Sequence, residues 1–211
     1  WWGVVGGGGV GCWWGGGGVG GGLHGGGGGR RGWGLGGRRQ AGGTALGLGA
    51  GGGVGYACGQ LAKSKGARVW AGLTTPAKAD LFAPDDIDGV IDLSVDNLRD
   101  GLRDQVYAAT DGEGADVIMD PLGDEIFAAA LRALAWRGRL VVVGFAAGNI
   151  PSVKANYLLL KNIEVSGLQV SDYRKKRLDI MDECFADIFQ LYDEGKIKPA
   201  PSETFPLEGF A

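Results

Sequence analysis

The chain has 211 residues, 44 of them Gly and 7 Pro, and a formal net charge of −3. Gly and Pro make up about a quarter of it, just under a low-complexity composition. The mildly acidic balance argues against nucleic acid or an anionic membrane surface as a partner. No apolar run reaches the ~18–20 residues of a membrane span.

The average hides a split. Residues 1–43 hold 24 Gly, 5 of the 7 Trp, 4 Arg and no Asp, Glu or Lys. Such a stretch cannot bury a regular core, because Gly brings no side chain and the largest chain entropy. Trp pairs speak against a plain linker. A low-complexity interaction segment is one reading, with Arg pairs amid Gly as a weak echo of RNA-binding segments. The favoured one is a corrupted, G-biased coding stretch, since Gly, Trp and Arg share G-rich codons. No function is built on residues before Gly42. Cys12, Cys58 and Cys184 are widely spaced, with no C-x-x-C pair and no disulfide framework. His24 is the single histidine, so no metal site is expected. No signal peptide is visible, and a cytoplasmic protein is the expectation.

Residues 44–211 read as one domain of alternating strands and helices. Thr44–Leu48 is a short apolar stretch running into glycines. Val54, Ala57, Cys58, Leu61 and Ala62 follow at helical spacing, and Gly66 ends that helix. Arg68–Leu73 is a strand candidate, and Pro76 opens a short helix. Gly89–Leu93 is a strand, and Leu98, Leu102 and Val106 mark a helix. Ala115–Met119 is a strand, followed by a helix face of Ile126, Phe127, Ala130, Leu131 and Leu134. Arg139–Phe145 is a buried strand by its continuous apolar run. Ile163–Leu168 reads as a strand. Leu178, Met181, Phe185, Ile188 and Tyr192 give a long amphipathic helix stopped at Gly195. This alternation predicts an α/β fold: a doubly wound, parallel Rossmann sheet with helices on both faces, its ligand beyond the carboxyl ends of the strands.

The first strand runs into Gly49-Ala50-Gly51-Gly52-Gly53-Val54-Gly55 and then a helix, which is the context of a dinucleotide-binding turn. Glycines there allow a tight turn, close approach of a pyrophosphate, and packing of helix on strand. The helix N-terminus offers N–H groups to phosphate. From Gly66 to Ala79 there is no acid for a ribose 2′-hydroxyl. Thr74, Thr75 and Lys78 stand there instead, which suits a 2′-phosphate and hence NADP(H).

From about Gly42 onward the chain resembles the nucleotide-binding half of the medium-chain dehydrogenase/reductase superfamily, and within it the zinc-free NADPH:quinone oxidoreductases. The matching pieces are AGGGVG (50–55), QLAKSKGARV (60–69), TTPAK (74–78), GVID (89–92), GADVIMDPLG (114–123), LRALAWRGRLVVVGFAAGNIP (131–151), NYLLLKNIEVSG (156–167), EGKIKP (194–199) and SETFPLEGF (202–210). The resemblance implies that Gly51, Gly52, Gly53 and Val54 lie against the pyrophosphate and that Thr75 and Lys78 lie at the 2′-phosphate. It implies that Gly144, Phe145 and Ala146 approach the nicotinamide, with Leu168 and Gln169 on its other side. It also implies a homodimer paired through Asn162–Val170. The activity it implies is hydride transfer from NADPH to a quinone or enone. No catalytic acid or base is assigned; Asp116, Asp120 and Asp124 read as solvated turn acids.

Departures from the family pattern are Ala45 and Gly47 where Val is expected, and Leu93 where many members have Tyr. The upstream catalytic domain of that family has no counterpart in 1–43, and the chain ends before the last elements of the fold. The isolated chain is therefore expected to bind NADPH weakly and turn over little. Two rivals stand beside this reading. One is a non-catalytic NADPH-binding module of sensor or crystallin type. The other is a short-chain dehydrogenase, since Tyr157 and Lys161 have the spacing of its Tyr-x-x-x-Lys pair.

Overall fold

The computed structural model describes residues 43–199 and Pro206. The Gly-rich segment, with its boundary at residue 43, lies outside the described residues, as does all of 202–210 except Pro206. Six strands alternate with helices: β1 (Thr44–Leu48), α1 (Gly53–Ser64), β2 (Arg68–Leu73), a 3-10 helix (Pro76–Leu81), β3 (Gly89–Asp92), α2 (Leu98–Ala109), β4 (Ala115–Asp120), α3 (Asp124–Ala133), β5 (Leu134–Val142), α4 (Ala155–Lys161), β6 (Glu164–Gly167), α5 (Val170–Lys176) and α6 (Leu178–Asp193). All pairings are parallel, in the order β3-β2-β1-β4-β5-β6. This is the doubly wound Rossmann order, whose chain reverses direction of travel between β1 and β4.

Period-two alternation in the strands feeds two cores. On one face Leu46, Leu48, Ile118 and Leu140 pack with Leu102 and Val106 of α2, Phe127 and Leu131 of α3, and Tyr157 and Leu158 of α4. On the other, Ala45, Val69, Val117, Met119 and Val141 pack with Cys58, Leu61 and Ala62 of α1 and Leu191 of α6. Helices on both faces are what a buried parallel sheet requires.

The main differences from the sequence reading are the two ends of β5 and two helices it did not include, α4 and α5. The helix ends at Ala133 and β5 begins at Leu134, earlier than Arg139. A register shift between Ala115 and Val117 loops out 135–138, with Arg137 at φ 64°. The strand ends at Val142, the register partner of Asp120, where β4 also ends; beyond it the N–H groups of Val143 and Gly144 share the Asp120 carbonyl. Helix α4, absent from the reading of strands and helices, is seven residues long and is stopped by Asn162 in the left-handed region.

Lys161, at the end of α4, donates from Nζ to the carbonyls of Arg132 (2.7 Å) and Leu134 (2.8 Å) and to the Tyr107 hydroxyl (3.0 Å). It caps the C-terminus of α3, where a cation is favoured. Lys161→Met leaves those carbonyls short of a charged donor, a loss of about 2 kcal/mol that a urea-unfolding midpoint should register.

Asp88 ties α1 to β2 by accepting from Lys63 Nζ (2.8 Å) and the Val69 N–H (2.6 Å). Burial pushes its carboxyl up, but the bonds from Lys63 and Val69 outweigh this and hold it below the ordinary carboxylate value. A depressed native value contributes stability that is complete above the unfolded value of about 3.9 and is lost as pH falls through the native one. The stability gap between the wild-type chain and Asp88→Asn should hold constant above about pH 5 and shrink below about pH 4, read from urea midpoints.

At the outer edge of β3, Gln105 of α2 accepts from the Asp92 N–H (2.8 Å) and donates to the Asp92 carbonyl (2.9 Å). One side chain thus occupies both outward backbone groups of that residue.

Candidate nucleotide-binding site

The site forms at the carboxyl ends of the strands. Leaving β1, Gly49 takes φ +61° and its carbonyl accepts from the Gly52 N–H at 2.9 Å, closing a tight turn. Gly52 is the N-cap of α1, with no side-chain cap and no acid in the first turn. The first N–H groups of this twelve-residue helix are left to a ligand, and phosphate matches them. Gly55 makes the close packing possible. A Cβ there would stand 2.6 Å from the Ala50 Cα and 2.7 Å from the Gly49 carbonyl oxygen.

Lys78 reaches this turn from the 3-10 helix. A Cβ on Gly51 would fall 2.6 Å from the Lys78 Cδ, so the lysine stem lies across the glycine. Thr75 caps the 3-10 helix, its carbonyl accepting from the Lys78 N–H at 3.0 Å. Thr74, Thr75 and Lys78 are all exposed. Asp92, register partner of Leu73 in β2, has its Oδ1 bound by the N–H and hydroxyl of Ser94. Gly51 to Gly53, Thr75 and Lys78 therefore gather on one side of the site. The Val54 side chain is partly buried against the core cluster that includes Ala45 and Cys58.

On the other side of the switch point, Val142, Val143, Gly144 and Phe145 after β5 meet Gly167, Leu168 and Gln169 after β6 around an open cleft of about 350 Å³. Phe145 is 40% exposed there. Ala146 does not line the cleft; its N–H donates to the Pro121 carbonyl at 3.0 Å. Gly144 and Phe145 thus face Leu168 and Gln169 across the cleft. The Tyr157–Lys161 pair is engaged elsewhere: the lysine is committed to carbonyls, and Tyr157 packs against the core.

Asp120 corrects the sequence reading. It is fully buried at the end of β4, not a solvated turn acid. Its Oδ1 accepts from the N–H groups of Leu122 (2.8 Å) and Gly123 (2.9 Å). Burial raises its carboxyl above the ordinary value, although these two bonds pull it down. The signal was present in Asp120-Pro121-Leu122-Gly123, where an acceptor side chain precedes Pro and Gly as in a side-chain-closed turn. Asp116, by contrast, accepts from the Thr44 N–H (2.8 Å), and Asp124 from Asn149 (2.9 Å). Cys58 is buried and its thiol is pushed up to about 12, so it offers no thiolate nucleophile. Among the described residues no group of three or more His, Cys, Asp or Glu could hold a metal ion. No helix there is long and apolar enough to cross a membrane.

A glycine turn on an open helix N-terminus, at the switch point of a 3-2-1-4-5-6 sheet, defines a Rossmann nucleotide-binding domain. The family described as zinc-binding dehydrogenase matches residues 53–186, and the chain belongs to it, within the medium-chain dehydrogenase/reductase superfamily. A quinone oxidoreductase-like protein 2 from Bos taurus is 42% identical over 115 residues, 54% of this chain and 33% of that protein. A highly reducing polyketide synthase from Leptosphaeria maculans is 30% identical over 173 residues, 80% of this chain and 7% of that protein. A mycobacterial protein crystallised with NADPH superposes with a TM-score of 0.68 at 26% identity, over 76% of this chain and 48% of its own. The chain thus spans about a third of the length of the bovine relative it matches, and the matched part is the nucleotide-binding domain of the family.

Proposed function

We propose that this chain is the cofactor-binding part of an NADPH-dependent oxidoreductase that delivers hydride to a quinone or enone acceptor. The observation that carries the reading is the acid-free end of β2, where Thr75 and Lys78 stand exposed beside the uncapped N-terminus of α1. In this reading the backbone of Gly51, Gly52 and Gly53 lies against the pyrophosphate, and the first turn of α1 turns its N–H groups to it. Thr75 and Lys78 hold the 2′-phosphate by charge-assisted bonds. Gly144, Phe145, Leu168 and Gln169 bracket the nicotinamide and keep water from it. The bound nucleotide supplies the hydride, and the protein orients it. The likeness to the bovine quinone oxidoreductase-like protein supports the acceptor class, and the NADPH-bound neighbour supports the cofactor.

Substrate contacts come, in this reading, from a catalytic domain outside residues 43–199, so residues 43–199 alone turn over slowly. A homodimer through β6 belongs to the same proposal, supported by the sheet-edge position of that strand and by Leu159 and Leu160, 78% and 73% exposed on the preceding helix. So does a cytoplasmic setting. A non-catalytic NADPH-binding module is the second reading, favoured by one observation: among the described residues no titratable side chain lines the cleft.

The test is titration of the full chain with NADPH and with NADH, followed by nicotinamide fluorescence. NADPH should bind at least tenfold more tightly, a difference of about 1.4 kcal/mol. Equal affinities, or preference for NADH, overturn the cofactor reading. Adding a quinone panel to the protein joined to a catalytic domain separates enzyme from module: tight NADPH binding with no oxidation of it favours the module.

A further inference from the structure

We infer that Asp120 is a positioning residue: its buried carboxyl builds a turn, 120–124, that locks the cleft-forming loop after β5 to the glycine turn after β1. This rests on the cofactor reading above only for what binds, not for the lock itself.

The turn touches both halves of the site. Toward the glycine turn, the Leu122 side chain lies under Gly49, where a Cβ would stand 3.0 Å from the Leu122 Cδ2. Toward the cleft, successive carbonyls of the turn hold successive amides of the loop. The Asp120 carbonyl accepts from the N–H groups of Val143 (2.8 Å) and, at longer range, Gly144 (3.4 Å). Those of Pro121 and Leu122 accept from Ala146 and Ala147, each at 3.0 Å. The Asp124 N–H returns a bond to the Asn149 carbonyl at 3.1 Å. The Phe145 ring rests on Gly123, which has φ +74°; a Cβ there would be 2.9 Å from the Phe145 Cδ1 and 3.1 Å from the Asn149 carbonyl oxygen.

What fixes the turn is the Asp120 side chain. Oδ1 takes both N–H groups that the turn leaves over, Leu122 and Gly123. Oδ2 is buried with no hydrogen-bond partner. A carboxyl kept in that condition costs free energy, and a buried polar group that a core does not need points to a task. Here the task is geometric. The ladder from 120–122 to 143–147 forms only if the turn presents its carbonyls in line, and the cleft beside Phe145 forms only on that ladder.

Two measurements on the full chain test this. The first needs no cofactor: amide hydrogen exchange at residues 143–147 should speed by at least tenfold in Asp120→Ala, and by less than threefold in Asp120→Asn, which keeps an oxygen for the two N–H groups. The second separates the two ends of the nucleotide. Asp120→Ala should weaken NADPH at least fivefold while leaving 2′,5′-ADP, which has the 2′-phosphate and no nicotinamide, within twofold. Asp120→Asn should restore NADPH to within threefold of the wild-type value. If Asp120→Ala does not fold, Gly123→Ala attacks the same turn without touching the carboxyl and should give the same two patterns. Unchanged exchange at 143–147 in a folded variant overturns the lock. Equal loss of NADPH and 2′,5′-ADP shows a merely structural role and also overturns it. If the wild-type chain binds neither nucleotide, the cofactor reading fails, and the exchange result still decides the lock.

Discussion

Gly55→Ala should destabilise the chain by about 2 kcal/mol and weaken NADPH at least tenfold. A helix interior ordinarily gains up to about 1 kcal/mol when Gly becomes Ala. Here the new methyl would sit 2.6 Å from the Ala50 Cα, 2.7 Å from the Gly49 carbonyl oxygen and 2.8 Å from the Ala50 nitrogen. All three are backbone atoms of the turn that would cradle the pyrophosphate, so relief means moving α1 or reopening the turn. Overpacking of this kind costs about 1–3 kcal/mol or more. The control lies one turn along the same helix. A Cβ on Gly59 meets only Val69 Cγ1, at 3.6 Å, an ordinary contact. Gly59→Ala should therefore stabilise by about 0.5–1 kcal/mol and leave binding unchanged. Urea midpoints and NADPH titrations on both variants read the contrast, and a stabilised Gly55→Ala that binds normally would show that the close packing is not required.

Lys78→Glu should raise the NADPH dissociation constant about a hundredfold and change that for NADH by less than threefold. A hydrogen bond to a charged group is worth about 1.5–3 kcal/mol, and the replacement adds repulsion against a doubly charged phosphate. The lysine is exposed, so the fold should not feel the change. Raising the salt concentration should shrink the wild-type preference, because exposed charges are screened. A variant that lost both nucleotides equally would place Lys78 at the pyrophosphate rather than at the 2′-phosphate.

Much of this was readable in the chain before any coordinates. The alternation of Arg68–Leu73, Gly89–Asp92 and Ala115–Asp120 with helical spacings yields the sheet, because each strand is short, apolar and bounded by Gly or Asp. The glycine turn was legible from its place between strand and helix. Three things were not. The end of β5 differs because the apolar run of Arg139–Phe145 outlasts the neighbouring β4, which stops at Asp120 opposite Val142, a tertiary limit invisible to periodicity. Asp120 was misread because acids near glycines are usually solvated; only the contacts of Leu122 and Gly123 reveal a carboxyl that the fold has taken inside. The pairing of Lys161 with the end of α3 was hidden for the same reason, since its partners are backbone carbonyls 27 and 29 residues away.

The clasp of Gln105 on Asp92 bears on how copies of this chain can stack. A sheet edge with open N–H and carbonyl groups is a template for adding strands from other molecules. On the β3 side, the last residue of the strand offers neither group, because one side-chain amide has taken both. The β6 side carries no such cover among the hydrogen bonds of the described residues. A strand arriving at the end of β3 would find both of those groups already taken, so the clasp discourages addition there.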